Sequence, residues 1–446
     1  MIVGGNMKKF IKNTFSVLIV ILVSLMIFNI ANDKFCYGYF TKAATVKDKT
    51  IFSRDSKEKY FNTNSYKIEN RDYNNSAFYK KIKVSKNTPY KITCMIKTEN
   101  VEVLDKKIDN SGAKISILNS LEQTESIIGS NDWQKVTLIF NSKQNEELEI
   151  GFMLGGDADN GNVKGTAWFS DLKIEEGNLD SDNNWNFACF IFKNTDVNVT
   201  EGNYKYTMSE EDINQLYNCI DRFKTICAEF SNNLMTASCD IIEIDNPIKT
   251  LSYDEDKGYY IRPEDISNEI NSYLSKKEYD HIFICARLTD ENSKIPINQW
   301  IGLGGMEYKG IGYSNIRMPT SSKSYEFRYN EKINQFPEEV FIHEFLHTLE
   351  RNSEEYGYEV PALHDNKKYG YKEEKLNSLY NWYKDYMSSA IPNDNKYMGL
   401  NPEIYKYKPV NETNFINSKK LTDFDEPKNM IEKTKLLLTN TIQANI

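Results

Sequence analysis

From residue 45 to about 178 the apolar and polar positions alternate in short runs, among them "AFYKKIKV", "PYKITCMIKTE", "AKISILNS", "WQKVTLIFNS", "EELEIGFMLGG" and "GTAWFSDLKIEE". Asn, Gly, Asp and Ser punctuate them. A period of two over many short segments predicts antiparallel strands folded as an all-β sandwich. In this reading Trp133, Phe140 and Phe169 fill its core. The polar, acidic stretch "EEGNLDSDNNW", Glu175 to Trp185, reads as the connection, with the linker proper at 179–185.

Beyond it the period changes. An apolar strand "WNFACFIF" precedes a 3.6-period segment, "SEEDINQLYNCIDRFKTICAEF", opened by Ser209 as N-cap with Glu210, Glu211 and Asp212 in the first turn. A strand "CDIIEID", a hairpin in "KTLSYDEDKGYYI", a helix in "PEDISNEINSYLSKK" and a buried strand "HIFICARL" follow. Mixed strands and helices over 186–446 predict a second domain of α/β (α+β) class. His281, at the head of its strand, reads as structural.

A third pattern opens the chain. Lys8, Lys9 and Lys12 precede an uncharged apolar run from Phe15 to Ile30, the order of a secretory signal peptide over about residues 1–40. Met7 is a plausible start, and Gly38 or the stretch around Ala43 are candidate cleavage sites. A retained anchor is the alternative, but the run falls short of the ~20 residues a spanning helix needs. The expectation is a secreted or cell-surface protein with no stable membrane insertion after signal removal.

Composition then narrows the function. At 446 residues, 40% apolar and 13% aromatic, the chain can build more than one core. A net charge of -9 without a basic block argues against a nucleic-acid partner. The seven cysteines form no CxxC pair, which excludes a zinc ribbon, and Cys219 and Cys227 on one helix read as buried thiols.

The candidate chemistry sits in "FPEEVFIHEFLHTLER", which uses two of only four histidines. At ~100° per residue, His343 and His347 lie ~40° apart around a helix, so both imidazoles can meet one ion. Phe341, Ile342, Phe345, Leu346 and Leu349 occupy the opposite arc and dock the helix. Glu344, one step round, can reach a water at the ion and remove its proton, the arrangement for metal-assisted hydrolysis. A catalytic zinc takes a third protein ligand and keeps one position open. Downstream of the helix the only histidine is His364, in "EEYGYEVPALHDNKKYGY", where Gly357 and Pro361 can turn the chain back. Asp365, Glu373 and Glu374 stand as alternatives, while Glu350 lies near the histidine face and is placed to support a ligand rather than to be one. For a developing oxyanion, Tyr369, Tyr371 and Tyr386 are candidate donors. The acidic "GGDADNG", Gly155 to Gly161, could hold Ca²⁺, although a turn explains it more cheaply.

"HEFLH" resembles the HExxH zinc metallopeptidases, the zincins. That resemblance implies His343 and His347 as zinc ligands and Glu344 as general base. The order of preceding elements is similar to a metzincin upper subdomain, with "IGLGGMEYKGIGYS" near the edge strand that pairs with extended substrate. The short metzincin pattern breaks down, because Glu350 and Ser353 stand where it has Gly and His. Longer spacers occur among relatives, and Tyr386, Met387 and Ser388 look like their methionine turn; a gluzincin-like site would use Glu373 or Glu374. The first domain, through "TPYKITCMIKTENV", "NDWQKVTLIFNS" and "GTAWFSDLKIEEG", resembles the jelly-roll carbohydrate-binding modules of secreted glycan-active enzymes. The expectation is therefore a secreted zinc endopeptidase acting on proteins or glycoproteins, its sandwich binding a glycan or serving as a spacer. A glycan-binding adhesin with an inert zincin-like half, and a zinc amidase of the cell envelope, are the alternatives.

Overall fold

The computed structural model describes residues 40–105, 110–118, 120, 122–156, 162–179, 182–288, 300–318, 338–372 and 378–421. The apolar leader, Asp157 to Gly161 of the calcium candidate, Pro337, Glu373 and Glu374 lie outside them. Among the described residues no helix is long and apolar enough to cross a membrane.

The alternating half folds as two facing antiparallel sheets. Its strands are β1 (Thr41–Ala44), β2 (Thr50–Tyr60), β3 (Thr63–Asn74), β4 (Ser76–Lys83), β5 (Pro89–Val103), β6 (Gly112–Leu118), β7 (Gly129–Asn141), β8 (Glu147–Gly155) and β9 (Val163–Glu176). One sheet runs β1-β4-β8-β6 and the other β2-β3-β9-β5-β7. Inward residues of both, Ile92, Ile96, Phe140, Phe152 and Phe169 among them, close one core, so the β-sandwich follows directly from the period of two. Trp133 does not join it, contrary to the sequence reading. The pairing of β5 with β7 slips between Ile96 and Thr98, and Trp133 instead packs half-buried against Tyr60, centroids 5.9 Å apart.

Trp185, which the sequence reading put both at the end of the linker and at the head of the strand "WNFACFIF", belongs to the strand: it is fully buried near the start of β10 (Asn184–Phe192), and its indole N–H donates to the carbonyl of Tyr405. Two hairpin strands, β11 (Asn194–Val199) and β12 (Gly202–Thr207), lead to α1 (Glu210–Phe230) and then β13 (Thr236–Ile244). Ser209 caps α1 as expected, with its side chain accepting from the Asp212 amide and Asp212 returning the bond. After the hairpin β14 (Ser252–Asp254) and β15 (Gly258–Tyr260) come α2 (Ser267–Leu274), β16 (His281–Arg287), β17 (Gly302–Tyr308) and β18 (Ile311–Met318). The central sheet is ordered β13-β10-β16-β18-β17, parallel except for β17, the antiparallel edge.

Both faces of this sheet are covered, which is why "FACFIF" and "HIFICA" are unbroken apolar runs rather than alternating ones. Phe187, Cys189, Phe283 and Cys285 face a core shared with α1, α3 (Glu339–Glu355) and α4 (Ser378–Met387). Phe190, Ile282 and Ile284 face the other, with Ile270 of α2. The six described cysteines are free thiols, Cys219 and Cys227 buried among them. A hairpin, β19 (Ile391–Asn393) and β20 (Lys396–Met398), closes the helical side, and the chain then returns to the sandwich, where β21 (Lys419–Lys420) pairs with β9.

Candidate metal centre

The site is built on α3. Phe341, Ile342, Phe345, Leu346 and Leu349 are all fully buried, so the apolar arc read from the sequence fixes the helix against the sheet. Its first turn lacks a side-chain cap; instead the Glu338 carboxylate, buried, accepts from Arg222 Nε of α1 at 2.6 Å. With the helix so oriented, His343 and His347 face a cavity of about 530 Å³ below the edge strand β17.

His364 joins them. The ring centroids of His343, His347 and His364 lie 4.9, 5.0 and 5.0 Å apart, and one ligand nitrogen from each falls within 4.8 Å of the others. Asp365 is not part of this group; it is turned to Lys368 at 3.1 Å, and its backbone begins a turn with Lys368. Glu350, as its place on the helix implied, stands behind the triad: its Oε2 accepts from His347 Nδ1 at 3.0 Å.

The loop that delivers His364 is held from three directions. Glu350 Oε1 accepts the Leu363 amide at 2.8 Å, the Trp382 indole donates to the Leu363 carbonyl at 3.0 Å, and the Tyr386 hydroxyl donates to the Pro361 carbonyl at 2.9 Å. Both backbone groups of the residue before His364 are therefore satisfied by side chains. Tyr386 thereby leaves the set of oxyanion donors, as does Tyr371, whose hydroxyl is given to Asp385, while Tyr369 stacks on Trp382. Met387 is buried in the core behind α3, at the end of α4, and its carbonyl accepts from Tyr405.

Tyr383 is the tyrosine at the site, and the sequence reading missed it. Its oxygen lies 3.0 Å from His343 Nδ1, and its hydroxyl donates to Glu339 Oε1 at 3.1 Å. Tyr383 falls on the α4 face that packs on α3, a placement that the helical period alone does not reveal. With Nδ1 of His343 and of His347 each engaged from behind, their Nε2 atoms are the ones left to face an ion.

The donor set fits zinc. Three imidazoles with no carboxylate among them suit a borderline-soft ion, and burial, followed by the neighbouring imidazoles, pushes His343 down to about 3, so it stays neutral and able to ligate. Glu344 is buried beside them under the glycines of β17. Burial pushes its carboxyl up to about 7, against the pull of His347 and of the Gly304 amide that donates to it. Gly302 and Gly304 are required there: a Cβ on Gly302 would sit 2.2 Å from Glu344 Oε1, and one on Gly304 2.6 Å from the Glu344 carbonyl oxygen. Glu350 is also desolvated, yet the bonds from His347 and the Leu363 amide hold its carboxyl below the usual range, as an anion. On the far side of the triad a second cavity of about 470 Å³ is lined by Val340, Leu379, Trp382 and Tyr383.

No family model and no curated protein matches the chain. Among solved structures it is similar to the enzymatically active domain of tailspike protein 4 of bacteriophage CBA120, with 13% identity and a TM-score of 0.24. That match covers 31% of this chain and 19% of the tailspike domain's length. It is also similar to TmCBM61 in complex with β-1,4-galactotriose, at 10% identity over 31% of this chain and 88% of the other, TM-score 0.22. A third is the CBM22-1 xylan-binding domain from Paenibacillus barcinonensis Xyn10C, at 14% identity over 30% and 83%, TM-score 0.20.

Proposed function

We propose that the protein is a secreted or cell-surface zinc-dependent endopeptidase of zincin type, its α/β half carrying the reaction and its sandwich serving recognition. The observation that carries this reading is the convergence of His343, His347 and His364 on one point, with the buried carboxylate of Glu344 beside it. His343, His347 and His364 would hold the ion, which when bound supplies Lewis acidity to polarise a carbonyl and acidify water.

The rest is done by the chain's own groups. β17, the end strand of the sheet among the described residues, offers its outer edge, at the lip of the cavity, to an extended polypeptide, whose backbone can pair with it as an added strand. Gly302 and Gly304 let that edge approach Glu344 without a side chain in the way. Glu344, with its affinity for a proton raised by burial, takes one from the attacking water and hands it to the leaving amine. Tyr383 and Glu350 keep the two helix-borne imidazoles in orientation, and Glu350 also fixes the approach of His364.

The test is zinc stoichiometry together with cleavage of casein, mucin and a peptide library. Glu344→Gln is expected to keep zinc and lose about 10²–10⁴ in rate. His364→Ala is expected to lose zinc while Glu373→Ala keeps it. Full activity of Glu344→Gln, or zinc lost only with Glu373, would overturn the assignment.

A second reading, a glycan-binding protein whose α/β half is idle, draws on one feature of the sandwich. Phe61, 83% exposed, packs edge-on against Tyr60, which in turn meets Trp133, making a small aromatic surface at the tip of the β2–β3 turn. Strong signals on a glycan array with no cleavage of any peptide would select this reading over the first.

A further inference from the structure

Between the sandwich and the C-terminal half of α3 runs a cleft of about 1040 Å³, larger than the cavity at the histidines. One wall is β7 with the segment around 122–128; the other is Arg351 and Glu355 of α3 with Glu307 of β17. Arg351 lines both the cleft and the histidine cavity, so a single side chain borders the two spaces. Helix α3 sets the scale: His347 to Glu355 is about 12 Å of rise, the span of roughly four residues of extended polypeptide.

The walls are polar and of both signs. Asn141, 7% exposed, has its Oδ1 taken by the Lys143 amide at 2.7 Å, which leaves a buried Nδ2 in the cleft wall with no partner. Glu122, its carboxyl raised by burial against the pull of Lys143, faces Glu307 and Glu355. Arg351 donates to the Gly305 carbonyl at 3.0 Å and reaches Glu307 at 3.5 Å. Carboxylate acceptors and cationic donors in one space, with an unpaired amide donor just beneath its wall, match a neutral ligand whose every polar group both donates and accepts. Acidic and basic side chains are equal in number in the lining, so the cleft offers an ion no net charge, and an apolar helix would strip these polar groups of water. The volume suits an oligosaccharide-sized ligand, and the walls are already fixed by the Lys143–Glu355 ion pair at 2.8 Å and the bond from Gln144 Nε2 to the Tyr356 carbonyl.

We propose that this cleft is a glycan site for the same substrate, receiving a neutral, hydroxyl-rich sugar carried on the polypeptide about four residues from the bond to be cut. It rests on the endopeptidase reading for its purpose, not for its ligand. The substrate class is then a glycosylated polypeptide, with the sandwich supplying one wall of the site rather than a remote tether.

The experiment uses the full chain carrying Glu344→Gln, loaded with zinc, so that binding is read without turnover. Two synthetic peptides are compared by calorimetry, one bearing a neutral O-linked disaccharide four residues from its centre and one unmodified, with the sugar placed on either side in turn. The glycopeptide is expected to bind at least tenfold tighter, and the ratio to fall toward one in Asn141→Ala and in Glu307→Gln, the latter an exposed position that leaves folding intact. Equal affinity for the two peptides, no binding of either, or a ratio unmoved by both substitutions overturns the proposal. Wild-type turnover of both peptides separates the two ideas: cleavage without glycan preference leaves the peptidase standing alone, and glycan preference without cleavage leaves the cleft standing alone.

Discussion

Glu350 shows how much a single side chain decides. It holds His347 through one oxygen and the backbone ahead of His364 through the other, so it ties a histidine on the helix to a histidine on the loop. Glu350→Ala is expected to weaken zinc binding 10–100-fold, measured by chelator competition; an unchanged affinity would show that the two contacts are idle. Its place near the histidine face was legible from helical spacing, but its bond to Leu363 was not, because a contact across 13 residues of loop has no period. Tyr383 escaped for the same reason, one tyrosine among 29. His281 is a different case, structural as its strand suggested. It is fully buried between Ser314 and Thr348, and burial, with Arg351 adding to it, lowers its pKa from 6.5 to about 3. Below pH 6.5 the unfolded chain takes a proton that the folded one refuses, so stability falls as pH drops from 6.5 toward 3. Denaturant titrations at pH 7 and pH 4 should show His281→Gln losing less over that interval than the native protein, by on the order of 3 kcal/mol. Equal slopes would deny His281 this role.

Among the elements, α3 was the most legible because two periodicities agreed on it, the apolar arc and the histidine pair. The α/β order was legible too, since strands buried on both faces read as unbroken apolar runs. The error at Trp133 came from β7, where a slip in register moves side chains to the other face, and sequence alternation alone does not announce a bulge. β17 carries a testable constraint. A methyl group on Gly302 would meet Glu344 Oε1 at 2.2 Å and its Cδ at 2.5 Å, and the strand cannot move away without breaking its pairing with β18. Gly302→Ala is therefore expected to keep zinc and lose about 10²-fold in kcat/KM by displacing the base. Steady-state kinetics beside metal analysis would check it, and native activity in that variant would place Glu344 outside the reaction.

At the scale of the molecule, besides the contacts of Lys143 and Gln144 with the end of α3, the chain passes between the two halves twice, once through the stretch after β9 and again by the returning segment. There Asn414 exchanges bonds with Asn178, Glu412 meets Lys91 at 3.1 Å, Leu421 packs on the sandwich core, and β21 completes the sheet beside β9. A chain ending at residue 410 should unfold in two calorimetric transitions where the full chain gives one; a single transition in both would mean the return segment adds no coupling. None of this closure was legible in advance, because a two-residue strand carries no pattern. Its consequence reaches back to synthesis. Ser418 bonds to Glu175 across 243 residues of sequence, so at about 5–20 residues per second the ribosome leaves the edge of β9 waiting for roughly 10–50 s. The sandwich is thus begun first and sealed last, with the whole α/β half made in between.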